Sequence, residues 1–416
     1  MEPASIPSDA LRPRILQCIA GSGMIVASIL TVRHFFEANY PESIWQGSFC
    51  DVSAFFNCGS AAFSPIAHLA GVPIGYFGMM VGALVVLGAL FPSDVFERTN
   101  KAIALWNVLG VVALFLYSIL VMKSICPLCS VYYVFSIFSL VVFWRHRATG
   151  ETGSRLAGFF RPSLKHSVTF ALVMLAGAYG VRLFHDAKRQ AQSGGAAAQI
   201  VEEYFSLPTV ASPSLLSPCW TARSTARFED APIQVIEYGD FLCSDCLFLH
   251  RQLERLRDEF RGKINIAFQF FPLDVECNTV VDKNKHPGAC ELSYIAAHDP
   301  AKFRQIHDEI FANFESAKDP VWRRELARRH GVEGALADAH TRDLVHRILQ
   351  TGAEYEKTSE QYAHGIRSTP TIVLNNRMII GTFPYEHLRA IFRALVARRE
   401  QKDKSKFLES WEPTRP

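Results

Sequence analysis

Residues 235–246 read VIEYGDFLCSDC and place two cysteines, Cys243 and Cys246, directly behind a β-like run. That run is rich in β-branched and aromatic residues, and a helical pattern follows it over residues 243–260. The N-terminus of a helix carries partial positive charge and free backbone N–H groups, which favour a thiolate on the first cysteine. The second cysteine, three residues further on, is close enough to resolve a mixed disulfide. The stretch therefore predicts a thiol–disulfide redox site.

A zinc half-site is the alternative interpretation of this C-x-x-C spacing. It requires a second pair of ligands, and His250 is accompanied by no second C-x-x-C or H-x-x-H motif. The spacing therefore favours redox chemistry, and we predict no bound metal. The formal net charge of +3 is close to balance, so the composition does not indicate a nucleic-acid partner.

The chain around this site follows the element order of a thioredoxin-like fold. A second β-like run covers residues 264–270, amphipathic helical patterns fill residues 289–362, two β-like runs cover 371–374 and 378–380, and a last helix covers 385–398. This order predicts a soluble α/β domain with an inserted helical subdomain. We assign it residues 233–400, followed by a polar tail at 401–416.

The first half of the chain is apolar and predicts a membrane domain. Five stretches reach or approach the roughly 20 apolar residues that cross a bilayer; they are residues 15–32, 72–91, 102–122, 127–144 and 168–184. We expect an α-helical bundle of five transmembrane helices, in which the first four form a catalytic domain at residues 1–148. A cytoplasmic loop, the fifth span and a linker then fill residues 149–232.

Basic residues in the short loops orient these spans. The loop after the fourth span carries five Lys or Arg residues, and Arg12 and Arg14 precede the first span, so both segments are expected in the cytoplasm. The loop over residues 33–71 holds one basic residue and is expected outside, together with the hairpin between spans three and four. We therefore predict a multi-pass protein of a bacterial plasma membrane, with the soluble domain on the extracytoplasmic side.

Two further cysteine pairs lie at the predicted outer surface. Cys126 and Cys129 form a C-x-x-C motif at the head of the fourth span, and Cys50 and Cys58 lie in the outer loop. Packing of small apolar side chains is the alternative interpretation for cysteines in membrane helices. A helix-start motif on the same side as the soluble pair favours redox function instead. Disulfide exchange needs direct attack of one sulfur on another, so a loop pair that reaches both sites is suited to carry electrons between them.

Four other cysteines are present in the chain. Cys277 and Cys290 flank a polar loop, and we predict a structural disulfide between them, with a shuttling role as the alternative. Cys18, inside the first span, is interpreted as packing. Cys219, in the predicted linker, has no evident partner and is expected to be available for an occasional mixed disulfide.

Four segments of the second half resemble a DsbA-like thioredoxin-fold domain; they are VIEYGDFLCSDC at 235–246, Phe-Pro-Leu at 271–273, His-Pro-Gly-Ala at 286–289 and Ser-Thr-Pro-Thr at 368–371. The resemblance covers residues 231–398. It implies that Pro370, preceded by Thr369, is cis and lies against the C-x-x-C pair, where the substrate chain docks. It also implies that Glu237 is a buried carboxylate that handles the proton of the second cysteine. The sequence departs from the family's strong oxidants at Asp245, where they carry a His, and a carboxylate there disfavours a thiolate.

Residues 1–145 resemble the vitamin K epoxide reductase family. The matching features are the C-x7-C loop at 50–58, the Ser-Pro at 64–65, the Gly-Val-Pro at 71–73 and the C-x-x-C at 126–129. The resemblance implies that Cys50 accepts electrons from the soluble domain and that Cys58 passes them to Cys126. It further implies that Cys129 faces a bound quinone.

The same resemblance identifies residues at the quinone. It places Tyr133, one helical turn beyond the C-x-x-C motif, and Ser64 near the quinone pocket. An asparagine contact of the animal members of the family has no counterpart in this sequence.

Together these features predict a quinone-dependent thiol–disulfide oxidoreductase that generates protein disulfides outside the cytoplasm. We expect menaquinone or ubiquinone as the acceptor, reduced secreted or periplasmic proteins as thiol substrates, and the membrane quinone pool and lipid bilayer as further partners. One alternative is a disulfide reductase or isomerase that carries electrons outward, which needs cysteines reachable from the cytoplasm. Another is a membrane receptor or transporter with a metal-binding soluble module, which predicts charged residues buried in the spans.

Overall fold

The computed structural model describes residues 8–40, 56, 58–122, 124–146, 157–160, 162–193, 195–211, 215–355 and 365–398. Cys50 and the predicted polar tail lie outside these residues. The chain divides into two compact units by its internal contacts. The first comprises Met1–Ala38 and Phe55–Arg189, and the second comprises Asn39–Ala54 and Gln190–Pro416.

The first unit is helical, and its long helices follow the predicted spans. They are α1 (Ser8–Asn39), α3 (Ile74–Leu90), α4 (Asp94–Leu120), α5 (Pro127–Arg145) and α6 (Leu164–Ser193), with the short α2 (Cys58–Ala62) between α1 and α3. Among the described residues, four of these helices are long and apolar enough to cross a membrane. The remaining long helix, α3, is apolar but has 17 residues, or about 25 Å of length. The first unit is therefore a multi-pass membrane domain.

Polar side chains join these membrane helices in pairs. Four contacts between 2.7 and 3.2 Å link α1 to α5, α3 to α4, α4 to α5 and α3 to α6; they are Gln17–Ser139, Leu84–Asn100, Asn107–Tyr132 and Tyr76–Met174. Hydrogen bonds between membrane helices contribute on the order of 0.6–2 kcal/mol each. They help to hold the helices in one bundle.

A short hairpin leads from α2 to α3. Its strands, β1 (His68–Leu69) and β2 (Val72–Pro73), are antiparallel. Ala70 and Gly71 form the turn with φ angles of 51° and 82°. A positive φ is easy to adopt for Gly71, which has no side chain. The backbone N–H of Ile74 donates to the carbonyl of Ala67 at 2.8 Å and so closes the loop at the beginning of α3.

The second unit contains a five-stranded sheet in the order β3-β5-β4-β6-β7. The strands are β3 (Trp220–Ala222), β4 (Ile233–Gly239), β5 (Ile264–Phe270), β6 (Thr371–Leu374) and β7 (Arg377–Ile380). The central strands β4 and β5 are parallel, and the other pairs are antiparallel. Every residue of β4 and of β5 is buried, as expected for strands that are covered on both faces.

Helices cover both faces of this sheet. Alternate residues of β4 point into two separate cores, Val235 into one and Ile236 into the other. The Val235 core contains α8 (Ser244–Glu259) and α14 (Tyr385–Arg398). The other contains the insertion, which consists of α9 (Ala289–Ala297), α10 (Phe303–Ala312), α11 (Phe314–Ala317), α12 (Pro320–His330) and α13 (Ala339–Glu354). The predicted α/β thioredoxin-like fold is confirmed.

The segment predicted as a linker, within residues 186–232, differs from the prediction. α6 continues to Ser193, α7 (Gly195–Ser206) packs on α14, and β3 joins the sheet. The hydroxyl of Tyr204 in α7 donates to the carbonyl of Leu374 in β6 at 2.8 Å. The thioredoxin-like unit therefore begins well before residue 233, because the apolar face of α7 is buried against the sheet and α14.

Candidate functional site

Cys243 lies at the N-cap of α8, as the sequence predicts. Its backbone N–H donates to the carbonyl of Asp240 at 3.2 Å, which closes the turn between β4 and the helix. Its thiol donates to the carbonyl of Thr369 at 3.4 Å. The side chain is 5% exposed, whereas Cys246 is fully buried. Cys243 is therefore the more exposed of the two cysteines.

The Thr369–Pro370 segment lies against this cysteine, at the beginning of β6. The peptide bond between the two residues is cis, as the DsbA-like resemblance implies. The carbonyl of Pro370 accepts a hydrogen bond from the backbone N–H of Gly381 at 2.8 Å. The role of this segment in docking a substrate chain stays a prediction.

Cys246 lies one helical turn inside α8, away from solvent. Its sulfur accepts a hydrogen bond from the backbone N–H of Asp240 at 3.4 Å. Burial raises the pKa of the Cys246 thiol well above its ordinary value, and the neighbouring Cys243 sulfur and Asp240 carboxylate raise it further. The two cysteines thus differ chemically as an attacking and a resolving thiol should.

Glu237 is buried in β4, as the resemblance implies. Burial, followed by repulsion from Glu254, raises the pKa of the Glu237 carboxyl to about 8. Its Oε1 has no hydrogen-bond partner among the described residues. Glu237 is therefore a buried carboxylic acid that keeps its proton at neutral pH.

Asp240 and His286 are site residues that the sequence alone does not reveal. Nδ1 of His286 lies 2.7 Å from Oδ2 of Asp240, and both side chains are buried. Both residues belong to segments that carry the DsbA-like resemblance, which is the only signal in the sequence. Their contact spans 46 residues of chain, so no local pattern reveals it.

Cys277 and Cys290 form a disulfide, which is the pairing expected from the sequence. The carboxylate of Asp274 organises the same loop, because its Oδ2 accepts from the backbone N–H groups of Gly288 at 2.8 Å and Cys290 at 3.3 Å. The disulfide therefore closes the loop that carries His286.

His250, His307 and Asp308 form the one group of potential metal ligands found among the described residues. Their ligand atoms lie within 4.8 Å of one another. The Asp308 carboxylate is already paired with Nε of Arg304 at 2.7 Å, and the His250 ring stacks on Phe311 at 4.7 Å. Burial lowers the pKa of His250 to about 3. These contacts are those of neutral rings packed in an aromatic core.

In the membrane unit, the structure brings Cys58 and the C-x-x-C motif together. Cys58 begins α2 and is disulfide-bonded, and Cys126 is the N-cap of α5 with a free thiol. The Cys126 and Cys58 sulfurs lie 3.6 Å apart, and both are buried. The backbone N–H of Cys129 donates to the Cys126 sulfur at 3.2 Å, and Cys129 also has a free thiol. The geometry thus permits sulfur-to-sulfur attack between the loop pair and the membrane pair.

Two apolar spaces adjoin these cysteines. A cavity of about 40 Å³ is lined by Cys58, Cys126 and Cys129, together with residues of α1 and of the hairpin region. A larger groove of about 570 Å³ lies between α1 and α5. Leu128 lines both, so the groove begins one residue away from Cys129.

Tyr133 and Ser64, the two predicted quinone contacts, line neither space. Tyr133 packs edge-on against Phe115 of α4, with ring centroids 6.3 Å apart. The hydroxyl of Ser64 donates to the carbonyl of Ala61 at 2.9 Å, a local turn contact. Their assignment to the quinone site stays a prediction.

Cys18 and Cys219 both carry free thiols. Cys18 lines the groove between α1 and α5. Cys219 is fully buried directly before β3, and burial raises the pKa of its thiol to about 12. The expectation that Cys219 is available for mixed disulfides is therefore wrong, because its sulfur is neither accessible nor ionised at neutral pH.

Comparison with known proteins agrees with the two-domain arrangement. The profile of the vitamin K epoxide reductase family matches residues 14–144, and a thioredoxin profile matches residues 228–394. The probable disulfide bond formation protein D of Bacillus cereus is 25% identical over 162 residues, which are 36% of this chain and 68% of that protein. Disulfide bond formation protein D of Bacillus subtilis is 23% identical over 169 residues, 39% of this chain and 71% of that protein.

Two further proteins are similar to parts of this chain. The Na(+)/H(+) antiporter NhaA 1 of Mycolicibacterium gilvum is 24% identical over 205 residues, 48% of this chain but 30% of the antiporter's own length. Among solved structures, alpha-DsbA1 of Wolbachia pipientis covers 41% of this chain and 88% of its own, with 15% identity and a TM-score of 0.33. From the profile matches and the geometry above, residues 14–144 form a domain of the vitamin K epoxide reductase family, and residues 228–394 form a thioredoxin-like domain that follows it in the same chain.

Proposed function

We propose that this membrane thiol–disulfide oxidoreductase generates disulfides in proteins outside the cytoplasm and delivers the electrons to a quinone. The observation that carries the proposal is the 3.6 Å distance between the sulfurs of Cys58 and Cys126. Disulfide exchange requires contact between the sulfurs that react, and this pair makes it inside the membrane unit.

The first step takes place in the thioredoxin-like unit. A substrate thiolate attacks the Cys243 sulfur of the oxidised pair, so that a substrate–Cys243 bond forms and the Cys243–Cys246 bond breaks. The electron pair stays on Cys246, and the protonated Glu237 is suited to supply the proton that this sulfur takes up. A second substrate thiolate then attacks the substrate sulfur of the mixed disulfide, which releases the oxidised substrate and leaves both cysteines reduced.

The relay to the membrane follows the same chemistry. The reduced soluble pair passes its electrons to the Cys50–Cys58 disulfide. Cys58 then attacks Cys126 of the Cys126–Cys129 disulfide, which leaves Cys129 as a thiolate. Attack of Cys50 on Cys58 releases Cys126, so the membrane pair ends with both electrons. The roles of these four cysteines in electron transfer are supported by the family resemblance and by the two short contacts of the Cys126 sulfur.

A quinone accepts two electrons and two protons, and the oxidation of one dithiol to a disulfide releases the same number of each. The surroundings of the membrane pair suit such an apolar acceptor, because the groove between α1 and α5 falls within the about 300–1,000 Å³ typical of small-molecule sites. In this proposal Cys129 faces the ring, and Leu128 and Val131 line the approach from lipid. We assign menaquinone or ubiquinone as the acceptor class.

We further propose five spans, with the thioredoxin-like domain on the extracytoplasmic side of a bacterial plasma membrane. α3 is short but lies within the 17–25 residues that can span a bilayer. The hydrogen bond from Tyr76 in α3 to Met174 in α6 supports a place for both helices inside the bundle. This orientation fits the distribution of basic residues, because the loop after the fourth span carries five Lys or Arg residues and the cysteine loop at 33–71 carries one.

A reductase with outward electron flow and a transporter with a metal-binding module are the competing functions. The reductase lacks a cysteine pair at the cytoplasmic ends of the described helices, where it would need one. The transporter predicts charge at mid-span, but the buried Lys101 lies in the second turn of α4 and pairs with Glu97 at 3.6 Å. Disulfide generation therefore fits the cysteine positions best.

The experiment follows the oxidation state of each cysteine in membranes that contain the full chain. Reduced membranes receive quinone, thiols are alkylated at intervals, and peptide mass spectrometry reads the state of Cys243. We expect added quinone to reoxidise Cys243–Cys246 in the native protein and in a control variant at an exposed position of α7, Glu202→Ala, but not in Cys129→Ala. Equal reoxidation of Cys243–Cys246 in the native protein and Cys129→Ala would overturn the quinone-coupled relay.

A further inference from the structure

Asp240 holds the two halves of the soluble redox site together through its main chain. It follows β4 directly and precedes Cys243 by three residues. Its carbonyl accepts from the N–H of Cys243 at 3.2 Å, and its own N–H donates to the sulfur of Cys246 at 3.4 Å. The orientation of this one residue therefore affects both cysteines.

The side chain of Asp240 fixes that orientation. The carboxylate is fully buried, and three donors point at it. Oδ1 accepts from the N–H of Leu242 at 2.7 Å, and Oδ2 accepts from the N–H of Leu273 at 2.6 Å and faces Nδ1 of His286 at 2.7 Å. Because a carboxylate oxygen can only accept, the proton of this last contact belongs to Nδ1.

His286 is in turn held in place by the loop around it. Its backbone N–H donates to the carbonyl of Leu273 at 3.0 Å, so Leu273 is bonded to both members of the pair. The Cys277–Cys290 disulfide and the Asp274 carboxylate close the rest of the loop. The imidazole is thus presented to Asp240 from a segment that is itself rigidly supported.

We propose that Asp240 and His286 form a positioning pair for Cys246, in which His286 balances the buried carboxylate and keeps the Asp240 N–H directed at the sulfur. The inference rests on the proposed function of Cys243 and Cys246 as a thiol-exchange pair. When a substrate thiolate attacks Cys243, the Cys243–Cys246 bond breaks and its electron pair moves to Cys246. The Asp240 N–H is the donor that meets this new negative charge.

Asp240 has two opposing effects on the sulfur of Cys246, and His286 weakens one of them. The N–H of Asp240 lowers the pKa of Cys246, whereas its carboxylate raises it. A bond from His286 to the carboxylate draws the negative charge towards the imidazole and away from the sulfur. Without His286, the carboxylate would have two backbone donors only, and the turn that holds the N–H would lose an anchor.

The test measures how fast dithiothreitol reduces the Cys243–Cys246 disulfide of the full chain in detergent, with alkylation and peptide mass spectrometry at Cys243 as the readout. We expect His286→Ala to slow this reduction about three- to tenfold, the range that loss of one hydrogen bond gives. His286→Asn should restore a rate near the native one, because its side-chain N–H₂ takes the place of Nδ1–H. His330→Ala is the matched control, since His330 also contacts a carboxylate, Glu309, at 2.7 Å but lies in the helical insertion.

Three results would count against the pair. A native rate in His286→Ala would show that the contact does not act on the redox site. Equal slowing in His286→Ala and His330→Ala, with equal losses of thermal stability, would show a structural role alone. A native protein whose Cys243–Cys246 disulfide does not exchange with dithiothreitol at all would instead overturn the proposed function itself.

Discussion

The sulfur of Cys126 lies 3.6 Å from the sulfur of Cys58, with both residues at the N-terminal ends of their helices. A disulfide needs a separation of about 2.05 Å, so the two sulfurs are roughly 1.5 Å from bonding distance. Both side chains are buried, and the N–H of Cys129 points at the Cys126 sulfur. A mixed disulfide between loop and membrane cysteine is therefore within reach of small side-chain rotations.

This distance predicts a trapped intermediate. In Cys50→Ser, the sulfur that would release Cys126 from Cys58 is absent, so a disulfide between Cys58 and Cys126 should accumulate when quinone is present. Digestion of the membrane-extracted chain without reducing agent, followed by mass spectrometry, detects the cross-linked peptides. The Cys18→Ser variant, which alters a free cysteine of α1, should show no such cross-link. If no bond between Cys58 and Cys126 is found in Cys50→Ser, the short contact is not used in exchange.

The buried Glu237 predicts a pH dependence of stability. Burial raises the pKa of this carboxyl from an ordinary 4.5 to about 8. Its stabilising contribution is therefore fully present below pH 4.5, where both folded and unfolded chains are protonated, and it is lost as the pH rises to about 8. A difference of this size corresponds to about 4–5 kcal/mol over the whole window.

Glu237→Gln removes this titration, because the amide stays neutral. Between pH 5 and pH 8, the free energy of unfolding of the thioredoxin-like unit should fall in the native chain. In Glu237→Gln this fall should be smaller by several kcal/mol. Pulse proteolysis in urea on the full chain in detergent measures the difference. The exposed Glu333 supplies the control, and Glu333→Gln should follow the native pH dependence. Parallel pH curves for Glu237→Gln and the native chain would contradict the assignment.

Cys219 predicts an unreactive thiol. Its sulfur is fully buried and its pKa is raised to about 12, so N-ethylmaleimide at neutral pH should leave it unlabelled in the folded chain. Cys243 of the reduced protein, which is more exposed than Cys219 and lies at a helix N-terminus, should be labelled faster under the same conditions. Addition of denaturant before the reagent should make Cys219 fully reactive. Labelling of Cys219 at the rate of Cys243 in the folded chain would show that β3 opens in solution.

The sequence predicts the elements that have a strong local pattern. The runs that became β4, β5 and β6 alternate or are continuously apolar, and the C-x-x-C spacing marks the helix start at Cys243. β3 has three residues and pairs with β5, about 45 residues away, so its own sequence carries little signal. α7 begins in a Gly- and Ala-rich run that is typical of linkers.

The site residues likewise fall into those that the sequence predicts and those that it does not. The cysteines of both C-x-x-C motifs are evident from spacing, and the cis Pro370 follows from the family resemblance. The bond between Asp240 and His286 is a tertiary contact between two loops, and nothing in either loop alone specifies the other. The burial of Cys219 likewise depends on β3 packing, which the sequence analysis placed in a linker.

α7 should contribute to the stability of the thioredoxin-like unit, because it packs on α14 and β6. Tyr204 is fully buried between the sheet and α14, and its hydroxyl donates to the carbonyl of Leu374 at 2.8 Å. Tyr204→Phe should cost about 1 kcal/mol of the free energy of unfolding through the lost hydrogen bond, and Tyr204→Ala about 3–5 kcal/mol through the cavity it leaves. Glu202→Ala, an exposed position on the same helix, should change stability by less than about 0.5 kcal/mol. Urea titration with pulse proteolysis on the full chain gives all three values. Equal, small effects for all three variants would show that α7 is a tether to the membrane unit and contributes nothing to the fold of the redox domain.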